Sequence, residues 1–207
     1  RKVTEPGMGA LEVFPLDTSE EFLYTLFNDL LENHWQEIQF GILVQGSVLE
    51  ISPPGPPQRF ALFDGYLTVE FGQPDYWWRR ALKRLMGNRW LTQRWHWHMH
   101  LCIGNNTGLG CEPTPPAVAA HRLPSRCELY RKLNQNGEPT FWALRLFNRR
   151  DEQLITVYLP NPLLTDEMEC ASEPDWSRLR LWDHLRKAYL GLDPDPKDRL
   201  AKRFSHD

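Results

Sequence analysis

The sequence predicts an α+β fold: a mostly antiparallel β-sheet built from hairpins, flanked by an N-terminal, a central and a C-terminal helix. Two observations carry this expectation. Short β-prone runs occur in neighbouring pairs separated by turn residues, and apolar residues at helical spacing occur near both ends and in the middle of the chain. A third, the absence of internal repeats and of a βαβ alternation, argues against a solenoid or a parallel sheet.

The 207 residues are 41% hydrophobic and 25% charged, which suits one globular core. The expected organisation is an irregular N-terminal segment over residues 1–17, a single α+β domain over 18–192 and a charged C-terminal tail over 193–207. Pro6, Gly7, Gly9 and Pro15 interrupt any period at the start. Thr18 followed by Glu21 has capping-box spacing. Phe22, Leu23, Leu26, Phe27, Leu30 and Leu31 then form one apolar stripe, with His34 at its end.

Four β-prone runs follow at residues 38–44, 47–51, 59–63 and 66–71, and predict an antiparallel meander. Asp64-Gly65 between two of them is a hairpin signal, because a two-residue turn needs positive φ. Residues 74–86 read as an amphipathic helix ending at Gly87-Asn88. A strand is expected over residues 94–103, then a glycine-rich loop over 104–110. Residues 115–120 and 126–134 read as short helices. Residues 141–147 and 153–159 form a second hairpin. Asp175 stands where it caps a helix with Leu179, Trp182, Leu185 and Tyr189 on one face.

Composition excludes several function classes. The formal net charge of -3 gives no electrostatic case for nucleic acid or an anionic membrane. No apolar run approaches the roughly 18 residues that a spanning helix needs. Cys102, Cys111, Cys127 and Cys170 form no CxxC pair, which points to free thiols in a reducing compartment. The N-terminus shows no signal-peptide pattern, so the cytoplasm is the expected location.

The chemistry concentrates in the run Trp95-His96-Trp97-His98-Met99-His100-Leu101-Cys102. Side chains alternate faces along a strand, so the three imidazoles and the thiol share one side. Neighbouring imidazoles at i and i+2 lie roughly 6.6–6.8 Å apart along the strand and can converge on one ion, whereas the outer pair, roughly 13 Å apart, cannot without a bulge. His98 and His100 are therefore the expected metal ligands, with Cys102 as a soft donor. Glu70, near the end of the preceding strand, is the expected carboxylate ligand or base. His96 is a third ligand or the catalytic proton-transfer group. A His/His/carboxylate set suits zinc or iron, and a thiolate admits copper.

These residues predict a metal-binding protein, and a metal-dependent hydrolase or oxidoreductase in particular. A non-catalytic metal-binding or partner-docking module is the alternative. Residues 76–95 interleave Arg79, Arg80, Lys83, Arg84, Arg89 and Arg94 with Trp77, Trp78, Trp90 and Trp95. That segment is a candidate surface for a protein partner and a means of steering a small anionic substrate towards the histidines.

The seven residues from His96 to Cys102 also resemble the histidine triad family, whose signature alternates three histidines with hydrophobic residues. The resemblance implies nucleotide hydrolysis without metal, with His98 as nucleophile supported by His96 and His100. Arg89, Trp90, Arg94 and Trp95 stand where that family has a glycine-rich approach. The segments 65–69 and 98–104 further resemble uncharacterised bacterial proteins with a His-x-His-Leu-Cys-Ile-Gly strand. That resemblance implies no activity and gives weight to His98, His100 and Cys102.

Overall fold

The computed structural model describes residues 1–44, 47–71, 97–108 and 112–204. Within them the fold is α+β, with two antiparallel sheets and helices packed between and beside them. The larger sheet has seven strands in the order β1-β2-β8-β9-β10-β3-β4. These are β1 (Lys2–Glu5), β2 (Gly9–Leu16), β3 (Gln39–Val44), β4 (Ser47–Ile51), β8 (Pro124–Leu133), β9 (Pro139–Asn148) and β10 (Gln153–Tyr158). The smaller sheet has three strands, β5 (Pro57–Phe63), β6 (Tyr66–Phe71) and β7 (Trp97–Cys102). The helices are α1 (Glu20–Asn33), α2 (Pro116–Arg122) and α3 (Arg180–Leu190).

One core joins both sheets. Leu23, Leu26, Phe27, Leu30 and Leu31 of α1 bury the predicted stripe. They meet Leu67, Val69 and Leu101 of the small sheet and Leu129, Trp142 and Leu144 of the large one. Trp182 and Leu185 of α3 close the same cluster. Helix α1 starts one residue later than the capping-box spacing suggests. Its N-cap is Ser19, and Asp17 accepts from the Thr18 and Ser19 amides instead.

Several local expectations need correction. Residues 2–16 form the β1–β2 hairpin rather than irregular chain. Gly7 and Gly9 adopt positive φ in its turn, and Pro15 lies beyond the part of β2 that β1 covers, at an edge where proline is tolerated. Residues 124–133 are a strand, not a helix. Its alternating charges look solvated, but Glu128 and Arg131 are buried in ion pairs. The four β-prone runs are no continuous meander, since β3–β4 joins one sheet and β5–β6 the other. The prolines between β4 and β5 remove backbone donors and carry the chain across.

The tail is not peripheral. Residues 196–199 form a 3-10 turn that buries Asp198, which accepts from Arg131 at 2.6 Å, from the indoles of Trp142 and Trp182 at 2.9 Å each, and from Arg186 at 3.3 Å. On the opposite face of the large sheet, Arg145 binds Glu5 through two hydrogen bonds of 2.7 and 2.6 Å and also meets Glu128 at 2.8 Å. Two strands separate β9 from β1, so the N-terminal hairpin curls over that face. Among the described residues, no helix is long and apolar enough to cross a membrane. The expected helix over 74–86 and the basic, tryptophan-rich segment 76–95 lie outside the described residues.

Candidate metal centre

The histidine run forms strand β7 as its alternation predicts, beside β6. The register sets His98 opposite Glu70 and His100 opposite Thr68. Both histidines are exposed on the outer face of the small sheet, while Leu101 and Ile103 enter the core. Their ring centroids are 5.3 Å apart at an interplanar angle of 63°. Thr68 Oγ1 and His100 Nδ1 lie 2.9 Å apart, and Glu70 accepts from Arg59 at 3.3 Å. His98 also borders a narrow apolar groove of about 250 Å³ with Trp97, Met99 and Phe71. His96 lies outside the described residues.

Cys102 is separated from the two imidazoles by burial. The loop that follows covers it, its thiol donates to the Gly104 carbonyl at 3.4 Å, and it accepts from Asn106 Nδ2 at 3.5 Å. Burial pushes its pKa up, which disfavours the thiolate that a metal requires. The described part of that loop, residues 104–108, is pinned. Asp64 accepts from the Thr107 amide, the Thr107 hydroxyl and the Gly108 amide, each at 2.7 Å. Asp64 and Gly65 have positive φ in the predicted turn, and a Cβ on Gly65 would lie 2.2 Å from the Asn105 carbonyl oxygen.

A different set of donors converges between α1 and α3. Asp29, His34 and His184 each offer a ligand atom, and those atoms all lie within 4.8 Å of one another. No other such trio occurs among the described residues. Asp29 projects from the last turns of α1, and His34 is the residue that ends that helix. His184 projects from α3, and its Nε2 lies 3.0 Å from Asp29 Oδ2. Tyr189 donates to the same oxygen at 3.0 Å, and Asn33 donates to Asp29 Oδ1 at 2.9 Å. The two imidazole centroids are 5.2 Å apart.

The surroundings suit a ligand set. Burial pushes the Asp29 carboxyl up, but hydrogen bonds from His184, Asn33 and Tyr189 outweigh it and hold the group below the ordinary aspartate value. It is therefore charged at neutral pH. His34 engages Glu37 through Nδ1 at 2.9 Å, which orients the ring and leaves Nε2 as its second donor. Carboxylate-held imidazoles of this kind are the usual outer support of metal-binding histidines. A tetrahedral zinc held at roughly 2.0–2.1 Å sets its donors roughly 3.3–3.5 Å apart, so small rotamer changes would close the trio.

Sequence reading finds His34 at the end of the α1 stripe but gives it no partner. His184 carries no local signal, since it lies 155 residues from Asp29 and its neighbours read as an ordinary amphipathic helix.

Residues 1–77 and 85–191 match the model of a family described as "Family of unknown function (DUF7676)". The chain belongs to that family. No curated protein and no solved structure matches it.

Proposed function

We propose that this protein binds a divalent transition-metal ion between α1 and α3, through Asp29, His34 and His184. The observation that carries this reading is the convergence of their three donor atoms within 4.8 Å. Two imidazoles and one carboxylate are the donor set that zinc and non-haem iron favour, and three protein ligands leave coordination positions for water or a substrate. Such a centre suits metal-dependent hydrolysis with zinc or oxidation with iron. Glu37, Asn33 and Tyr189 would orient the donors, and Asp29 would supply the negative charge.

The strand β7 supports a second reading. His98 and His100 stand on one exposed face with Glu70 in register, an arrangement in which the two imidazoles could share one ion. One experiment separates the two. Metal content is measured on protein purified without chelator, for wild type and for His184→Ala, His34→Ala, His98→Ala and His100→Ala. Loss of the ion in the first two variants alone supports the helix site. Loss in the last two alone moves the site to β7. A metal-free wild-type protein that takes up neither zinc nor iron(II) at micromolar concentration overturns both.

A further inference from the structure

We propose that the cleft over the far face of the seven-stranded sheet is a binding site for an organic cation, a primary ammonium on an apolar body, with Glu50 as its counter-charge. The cleft has a volume of about 690 Å³, within the range of small-molecule sites. It lies on the side of the sheet away from α1. Phe141 of β9 and Tyr158 of β10 form an aromatic floor, edge to face with centroids 6.0 Å apart. Leu43 and Met168 supply apolar wall.

The polar groups of the cleft are mostly committed. Arg178 pairs with Asp166 at 2.7 Å, Gln39 donates to Ser52 at 3.1 Å, and Glu37 holds His34. Lys132, at the Phe141 end, is itself engaged, and Arg180 is exposed at the rim. Besides Arg180, two groups are left over. Glu50 of β4, at the open side of the cleft, is exposed as a residue, has neither an ion pair nor a hydrogen bond among the described residues, and partial desolvation of its carboxyl raises its pKa. Tyr158 is 4% exposed, and its enclosed hydroxyl has no hydrogen-bond partner.

These two groups are neighbours. Burial and then the Glu50 charge push the Tyr158 phenol up to about 12. Gly41 of β3 lies between their strands; a Cβ there would overlap the Leu49 carbonyl oxygen at 1.4 Å and sit 3.1 Å from Tyr158 Cε2, which places the ring against the β3–β4 pair. A carboxylate without a counter-ion among the described residues, an unsatisfied phenol oxygen and aromatic rings together match a cationic donor. An ammonium can pair with the Glu50 carboxylate and rest its apolar body on the rings, and a small shift of the Tyr158 side chain would bring its enclosed hydroxyl into the same hydrogen-bond set. A carboxylate ligand would meet Glu50 as a like charge.

The test uses the full chain and three probes of matched shape: 2-phenylethylammonium, 2-phenylethanol and 3-phenylpropionate, titrated by calorimetry and by NMR shift mapping. The ammonium should bind at least tenfold more tightly than the alcohol, with shifts at Glu50 and Tyr158, and the propionate more weakly still. Glu50→Gln should erase the tenfold preference, and Tyr158→Phe, which keeps the ring, should weaken the ammonium several-fold. Equal binding of the alcohol or the propionate, a preference that survives Glu50→Gln, or no binding of any probe overturns the proposal. Neither Glu50 nor Tyr158 belongs to the Asp29–His34–His184 cluster, so the two readings fail independently.

Discussion

Asp198 and Arg131 form an ion pair of 2.6 Å in which the carboxylate has no solvent exposure and the guanidinium almost none. Buried charges persist only when each is matched, and here Arg131 also meets Glu12 and Asp195 at 2.9 and 2.7 Å. Asp198→Ala leaves a buried guanidinium short of a partner and two indole N–H groups without acceptors. Removing one member of such a pair costs about 3–5 kcal/mol, so urea unfolding should show a loss of that order. A loss under about 1 kcal/mol would mean that the tail detaches freely.

Stability should fall on acidification. The Arg145 hydrogen bonds hold Glu5 below the usual glutamate range, and for Glu12 the bonds from Lys197 and Arg131 outweigh the opposing effect of burial. A carboxyl with a lowered folded pKa binds its proton more readily in the unfolded chain. Its stabilising effect is complete above the ordinary glutamate pKa and is lost as pH falls through the lowered value. The urea midpoint should therefore drop between about pH 5 and pH 3, with a shallower slope in Glu5→Gln.

Metal should couple to folding. The proposed site between α1 and α3 exists only in the native state, so one equivalent of zinc should raise the thermal midpoint and chelator should reverse the shift. His184→Ala should abolish the shift while folding normally, because that side chain is 43% exposed. An equal shift in the variant would place the ion elsewhere.

The loop after β7 hangs on one side chain. Asp64→Ala removes three charge-assisted hydrogen bonds, so protease cleavage between residues 104 and 108 should rise at least tenfold with the rest of the domain intact. Gly65→Ala should destabilise by about 1–3 kcal/mol through its left-handed backbone conformation, and by more through the clash with Asn105.

Thiol reactivity should follow burial. Cys170 is exposed, whereas Cys102 and Cys127 are buried and burial pushes both thiols up. Mass spectrometry after brief treatment with iodoacetamide at pH 7.5 should find Cys170 modified and those two protected until denaturant is added. Rapid labelling of Cys102 would restore it as a candidate ligand.

What the sequence made legible was local. The α1 stripe, the Asp64-Gly65 turn and the alternation of β7 each depend on neighbours within a few positions, and each formed. The strand at 124–133 was misread because Glu128 and Arg131 look like surface charges until their partners are seen. Arg145 lies 140 residues from Glu5, and Arg131 lies 67 from Asp198, so no window of sequence shows the pairing. The donor trio escaped for the same reason. Asp29 and His34 share a helix end, but His184 arrives only when α3 packs against α1.

Strand β1 and the 196–199 turn are clamped onto the middle strands, through Glu5 on Arg145 and Asp198 on Arg131. Cutting the gene at position 193 to obtain a tidier expression product would uncover Trp142 and Trp182 and strand a guanidinium in the interior. Fragments that lack either segment should precipitate or populate a loosened state.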